Sequence, residues 1–320
     1  MLLPPRQGRA QVREEEGTRT MQTTHVTPEP PPARRFEIPS GHGARITVHE
    51  HPAVAPQGLV VILGAMATPA RFYAPLAEHL AWRGLTTVRF DYRGVGDSRR
   101  GSLRGEEAGV LDWTVRDVDA AIAFARERHP SLPLAVLGHS LGGQAIGLAR
   151  QPRDARAVVL VASQSGWVGH WPGAARVRME MLWRVVVPGM TGAFGYLPGW
   201  SGIGEDVPKR VAREWAEWCT TKGYVTGVRP KSELAYDRIT APVLAWSFTD
   251  DDYAPEGSTD ELLSWLASAR VQHRRRRPEQ LARDHVGHFG FFRRNVGTPM
   301  WDETADWLLA TLEEEPTAAS

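Results

Sequence analysis

The stretch LAVLGHSLGGQAIGLAR, Leu134 to Arg150, sets one serine between two glycines at a change of pattern. Leu134 to Leu137 is a short apolar run suited to a buried strand, and Leu141 to Ala149 has the small, aliphatic make-up of a tightly packed helix. A strand-to-helix turn tight enough to project a side chain forces strained angles on its central residue, and neighbours without a Cβ remove the collisions. Gly138 and Gly142 thus present Ser140, and Gly143 allows the new helix to pack close. Such a serine is a candidate nucleophile facing the N–H groups of a helix start. Its hydroxyl needs a base to take the proton, and the base needs a partner to hold it.

With this order of elements the acid follows a later strand and the histidine comes last. SFTDDDYAP offers Asp250, Asp251 and Asp252 directly behind the apolar run Pro242 to Phe248, and DHVGHFGFF then supplies His285 and His288. The glycine beside His288 gives that loop tip the freedom to reach Ser140, which favours it over His285. No carboxylate follows the apolar run Ala157 to Ser163, so the alternative place for the acid is empty. His139, inside the turn, is expected to point elsewhere and to pack or hydrogen-bond. The N–H of Leu141, next after the nucleophile, is the first candidate donor for an oxyanion.

The elements that position these residues alternate. ARITVHEH reads as a half-exposed strand and GLVVILGAM as one buried on both faces. Thr68 and Pro69 predict an N-cap and first helical residue for a helix to about Arg83. TTVRFDY is the next strand, and Asp112 is expected to cap a helix to about Arg128. AVVLVAS and PVLAWSF are further strands, followed by a helix around Asp260 to Ala269, a strand near Val271 to Arg276, and a last helix from Pro299. This alternation predicts a mostly parallel sheet flanked by helices, with ligands at the carboxyl ends of the strands. Arg274 to Arg277 is expected on an edge strand, where charge discourages pairing with other chains.

Residues 1–35 are polar and charged and read as a disordered leader, within which Met21 is an alternative start. Residues 36–163 and 241–320 form the expected α/β core, and 164–240 a helical cap holding six of the 12 tryptophans. Val211, Trp215 and Trp218 share a helix face there, while Arg176, Arg178 and Arg184 leave room for a substrate carboxylate. With 42% hydrophobic and 23% charged residues a large core is available, and a net charge of +1 gives no field for nucleic acid. No apolar run is long enough for a membrane span or a signal peptide. Cys219 is the single cysteine, which excludes an intrachain disulfide and points to a reducing, cytoplasmic setting.

From about Phe36 onward the chain resembles the α/β-hydrolase fold superfamily. The resemblance is to a bacterial group of predicted α/β hydrolases related to serine aminopeptidase-like hydrolases. GAMATPARFYAPLA, FDYRGVGDS, GHSLGGQA, SFTDDDYAP and GHFGFF carry it. It implies that the acid is Asp251, four residues before Pro255, and that the base is His288, after Gly287. It also implies a second oxyanion donor from the loop after the strand Gly58 to Leu63. Related loops usually begin His-Gly, whereas this one reads Gly64-Ala65, which makes Met66 the donor; the alternative is a core methionine with its amide tied elsewhere. Arg93, Gly94, Gly96 and Asp97 are then loop architecture.

The expected function is hydrolysis of an ester or related acyl bond through Ser140, His288 and Asp251 by way of an acyl-enzyme. The same scaffold allows an acyltransferase, a thioesterase or a peptidase, and also a non-catalytic binding protein. The substrate is expected to be a small acyl compound, apolar or aromatic; no cofactor, metal, nucleic-acid or membrane partner is implied.

Overall fold

Apolar runs of five or six residues are long enough for one buried strand each, and a computed structural model, which describes residues 29–314, arranges them in one eight-stranded sheet. β1 (Arg34–Pro39) and β2 (Arg45–His51) form an antiparallel pair. Then come β3 (Gly58–Leu63), α1 (Ala74–Trp82), β4 (Leu85–Phe90), α2 (Val118–Arg128), β5 (Leu134–His139), α3 (Leu141–Ala145) and β6 (Ala157–Val161). The stretch between β6 and the next sheet strand holds α4 (Gly173–Met181), α5 (Val187–Phe194), the two-residue pair β7 (Tyr196–Leu197) and β8 (Val207–Pro208), α6 (Lys209–Thr220) and α7 (Val225–Val228). β9 (Val243–Phe248), α8 (Glu256–Ser264), β10 (Val271–Arg276) and α9 (Arg294–Glu313) complete the chain. The order β1-β2-β4-β3-β5-β6-β9-β10 is parallel from β4 onward.

Every residue of β3, β4, β5, β6 and β9 is buried, as a sheet covered on both faces requires. Alternate side chains divide the core. Leu59, Val61, Val136 and Val158 face α2, while Val60, Ile62, Leu137 and Trp246 face α1 and α9. At the β10 edge Arg274 pairs with Glu303 at 2.6 Å and Arg275 with Glu256 at 3.3 Å, so the arginine run keeps its charges at a sheet edge.

Several boundaries differ from the sequence reading for local reasons. β1 begins at Arg34, whose partner on β2 is Glu50, so the leader boundary at 35 falls inside a strand; the expectation for residues 1–28 lies outside the described residues. Thr68 caps nothing, because its hydroxyl donates to the Met66 carbonyl; a 3-10 turn starts at Ala70 instead. Asp112 lies inside a helix that begins at Val110, and accepts the Gly109 N–H at 2.7 Å. The helix after β5 is regular only to Ala145 and passes into turns, in which the Leu148 and Ala149 N–H groups share the Ala145 carbonyl at 3.0 and 2.9 Å. α8 begins directly after Pro255, four residues earlier than expected. α9 starts at Arg294, so Pro299 sits within it rather than at its start.

Two buried polar arrangements hold the loops at the carboxyl edge. Arg93 Nη2 donates to Asp117 Oδ1 at 2.7 Å and to the Ser40 carbonyl at 2.6 Å, and its main-chain N–H donates to Asp117 Oδ2 at 2.9 Å. Asp91 accepts the N–H groups of Ala70 and Asp97 and thereby joins the loops after β3 and β4. A Cβ at Gly96 would lie 2.3 Å from Asp91 Oδ1, so that glycine is needed for the close approach. Arg93, Gly96 and Asp97 thus serve the loop framework.

The second arrangement runs through His139. The Ala65 N–H donates to Tyr73 Oη at 2.8 Å, the Tyr73 hydroxyl donates to His139 Nδ1 at 2.9 Å, and His139 Nε2 donates to the His288 carbonyl at 3.0 Å. The ring is therefore a neutral tautomer joining the loop after β3, the serine turn and the His288 loop. Burial holds its pKa well below the usual imidazole range.

Two outcomes follow for stability. Asp117→Ala leaves a buried guanidinium without its partner and is expected to cost about 3–5 kcal/mol in urea unfolding. For His139, the folded ring stays neutral while the unfolded imidazole takes a proton below about pH 6.5. Acidification therefore favours the unfolded chain, and this ring removes up to about 1.4 kcal/mol of stability per pH unit below 6.5. His139→Gln cannot titrate, so its stability is expected to fall less steeply between pH 6.5 and 5; equal slopes would show that the native ring is charged.

Candidate active site

Ser140 occupies the turn between β5 and α3 with φ 51° and ψ −113°, on the side of backbone space that side chains with a Cβ rarely enter. The strained angle belongs to the serine itself, and the flanking glycines answer a packing demand. A Cβ on Gly142 would lie 2.1 Å from the Leu63 carbonyl oxygen, and one on Gly143 2.0 Å from Ser163 Oγ. The Ser140 N–H donates to the Val161 carbonyl at 3.1 Å, which ties the turn to the end of β6.

His288 and Asp251 meet at the end of β9. His288 Nδ1 lies 2.8 Å from Asp251 Oδ2, and both side chains are buried. Asp251 Oδ1 accepts the N–H groups of Tyr253 and Ala254 at 2.8 and 3.1 Å, so all of its charge is spent on directed donors. The rival acids have other partners. Asp250 Oδ2 accepts the main-chain N–H groups of Val286 and Gly287 and lies 2.7 Å from Nδ1 of the exposed His285. Its task is to shape the loop that carries His288. Asp252 is exposed, and its carbonyl accepts the Trp171 indole N–H at 2.8 Å.

Ser140 and His288 border one cavity of about 180 Å³. Its walls are Ala65 and Met66 from the loop after β3, Tyr253 and Phe289 from the acid and histidine loops, and Trp171, Met179, Leu182, Trp183, Trp215 and Cys219 from the helical stretch. Three of the six tryptophans of that stretch therefore touch the cavity, while Trp218 is buried in the core and Trp200 is exposed. Burial pushes the Cys219 thiol well above its ordinary pKa, which leaves it an unreactive wall group. Arg176, Arg178 and Arg184 do not reach the cavity. Arg184 bonds to Glu180 on the outer helix surface, so the room these arginines left for a substrate carboxylate lies away from the cavity. A larger cleft of about 610 Å³, walled by Arg93, Glu106, Asp112, Arg210 and Glu214, touches neither Ser140 nor His288.

The main-chain N–H of Leu141 opens α3, where no helical carbonyl is available to it. The Met66 N–H has no hydrogen-bond partner among the described residues, and Ala65 and Met66 both face the cavity. The kink that follows, with Ala67 at φ 53°, is held from the helical stretch by the Glu205 N–H, which donates to the Ala67 carbonyl at 2.8 Å. Away from the cavity, His49, Asp91 and Asp97 bring three donor atoms within 4.8 Å of one another. Asp91 is occupied by two N–H donors and His49 pairs with Asp97 at 3.2 Å, so the cluster is explained by its own contacts.

The residue that sequence reasoning missed is Gln164. It follows Ser163, at the place searched for a carboxylate and found without one. Its Nε2 lies 3.5 Å from Ser140 Oγ and donates to the Tyr253 carbonyl at 3.2 Å. The signal was available as a polar side chain directly after a buried strand, at the edge where ligands bind.

The family profile described as "Serine aminopeptidase, S33" matches residues 54–197, less than half of the chain. A monoacylglycerol lipase of Mycolicibacterium smegmatis is 35% identical over 111 residues, covering 34% of this chain and 39% of that protein. The aligned part thus spans well under half the length of that relative. Among solved structures, a monoglyceride lipase variant from Saccharomyces cerevisiae superposes with a TM-score of 0.65 at 11% identity, over 89% of this chain and 97% of that one. A carboxyl esterase from Bacillus coagulans gives 0.58 at 12% identity, over 88% and 99%. The strand order, the serine turn and these matches agree: the chain has the α/β-hydrolase fold, and its residues 54–197 are similar to the serine aminopeptidase S33 family.

Proposed function

We propose that the protein is a serine hydrolase that cleaves an ester bond through Ser140, His288 and Asp251. The observation that carries this reading is the 2.8 Å contact of His288 Nδ1 with buried Asp251, at the wall of a cavity that also contains Ser140. Asp251 fixes the ring orientation and leaves Nε2 for the serine proton. As Ser140 Oγ bonds to the acyl carbon, its proton passes to His288 Nε2 and the carbonyl π pair moves to oxygen. The N–H groups of Leu141 and Met66 receive that charge. Collapse of the intermediate returns the proton to the departing alcohol, and water then releases the acyl group by the same steps in reverse roles.

Residues 164–240 act in this reading as a cap over the carboxyl edge of the sheet. Its tryptophans, Met179 and Leu182 give the cavity an apolar wall suited to an acyl chain or an aromatic acid. A lipase among the curated relatives and an esterase among the solved structures support ester over amide cleavage. No helix among the described residues is long and apolar enough to cross a membrane. A cytoplasmic setting remains part of the proposal, resting on the single, buried Cys219.

Ser140→Ala and His288→Ala are each expected to lower kcat on short p-nitrophenyl esters by at least about 10³-fold while leaving the circular dichroism spectrum unchanged. Turnover by Ser140→Ala at the wild-type rate would overturn the reading. Product analysis with added alcohols separates hydrolysis from acyl transfer: free acid as the main product supports hydrolysis, and ester exchange in its place shows a transferase.

A further inference from the structure

Gln164 is 94% buried by its 6% exposure, and each end of it has a different status. Nε2 faces Ser140 Oγ at 3.5 Å and donates to the Tyr253 carbonyl at 3.2 Å; the second contact identifies this end of the amide as the nitrogen. Oε1 is buried with no hydrogen-bond partner among the described residues. The main chain of Gln164 is held as well. Its carbonyl accepts from Gln144 Nε2 at 2.8 Å, Gln144 Oε1 accepts from the Tyr224 hydroxyl at 2.9 Å, and Tyr224 Oη accepts from the Trp215 indole at 2.8 Å. Trp215 is a wall of the cavity. A buried relay therefore runs from the helical stretch to the serine.

We propose that Gln164 is a positioning residue for the nucleophile, an inference that rests on the hydrolase reading above. An amide N–H directed at Ser140 Oγ engages a lone pair of the hydroxyl and leaves its O–H free to point at His288. It also stabilises the negative charge that grows on Oγ as the proton leaves. The contact to the Tyr253 carbonyl anchors the amide on the turn that carries Asp251, so nucleophile, base and acid share one frame. The orphaned Oε1 indicates what this arrangement is for. An unpaired buried acceptor lowers stability, so the Oε1 end of the amide adds nothing to folding. Gln164 is a place where stability is given up for function.

The test uses the full chain and Gln164→Met, which preserves length and removes the donor. Expected are a kcat lower by about 10- to 100-fold, a KM within about threefold of wild type, an equally slowed labelling of Ser140 by a fluorophosphonate probe, and a melting temperature within about 4 °C of the wild type, because loss of the bond to the Tyr253 carbonyl is offset by removal of the orphaned acceptor. Should this variant fail to fold, Gln164→Leu is measured in the same way. A kcat within twofold of wild type, or a kcat loss that appears only together with a melting temperature lowered by more than about 4 °C, would overturn the role of Gln164. These outcomes are distinct from failure of the hydrolase reading, in which wild-type Ser140 would not react with the probe at all.

Discussion

The arrangement depends on holding one serine in a backbone conformation that it would not adopt by itself. Angles of this kind cost about 1–3 kcal/mol and persist only where the surroundings over-determine them. Here the surroundings are the ends of β3, β5 and β6, packed so tightly that Gly142 and Gly143 have no room for a methyl group. The parallel sheet sets these strand ends side by side, and the close approach of α3 then forces Ser140 outward. Fold and site are thus one constraint: strands that pair in another order would relax the turn and withdraw the hydroxyl.

Around that point the chain connects its loops through a neutral ring and through carboxyl groups that accept main-chain N–H groups. His139 adjoins Ser140 in sequence yet faces the protein interior, joining the loop after β3 to the His288 loop through Tyr73. Asp250 and Asp251 are adjacent and do different work: one folds the histidine loop by accepting its main-chain N–H groups, and the other meets the imidazole. Both lie in the turn that follows β9, where the Asp251 N–H bonds back to the Phe248 carbonyl at 3.3 Å and the two side chains diverge to different partners. The helical stretch contributes the apolar wall and, through Trp215, Tyr224 and Gln144, a route by which its position reaches Gln164.

Much of this was legible in the sequence because the signals are short-range. Continuous apolar runs marked β3, β5, β6 and β9, and the glycines around Ser140 marked the turn, since each reflects what lies within a few residues. Element ends were read less well. Thr68, Asp112 and Pro299 are all plausible helix starts, but Thr68 bonds back to the Met66 carbonyl, and the helices that hold Asp112 and Pro299 begin earlier, at Val110 and Arg294. The choice of Asp251 over Asp250 came from resemblance, because three consecutive aspartates have no local feature that ranks them. Arg176, Arg178 and Arg184 left the question of a substrate carboxylate open, because charge is visible in a sequence but the side of a helix that faces a cavity depends on how that helix docks. Gln164 went unread because the position was searched only for a carboxylate.

The central claim is convergence of Ser140, His288 and the two main-chain donors on one reacting carbon. The most direct measurement is a crystal structure of the protein after reaction with an alkyl phosphonate ester. The expected result is phosphorus bonded to Ser140 Oγ, its oxygen about 3 Å from the N–H groups of Leu141 and Met66, and His288 Nε2 within hydrogen-bond reach of the adduct. An adduct on another residue, or one whose imidazole stays bonded to Asp251 yet faces away from the phosphonate, would contradict the account.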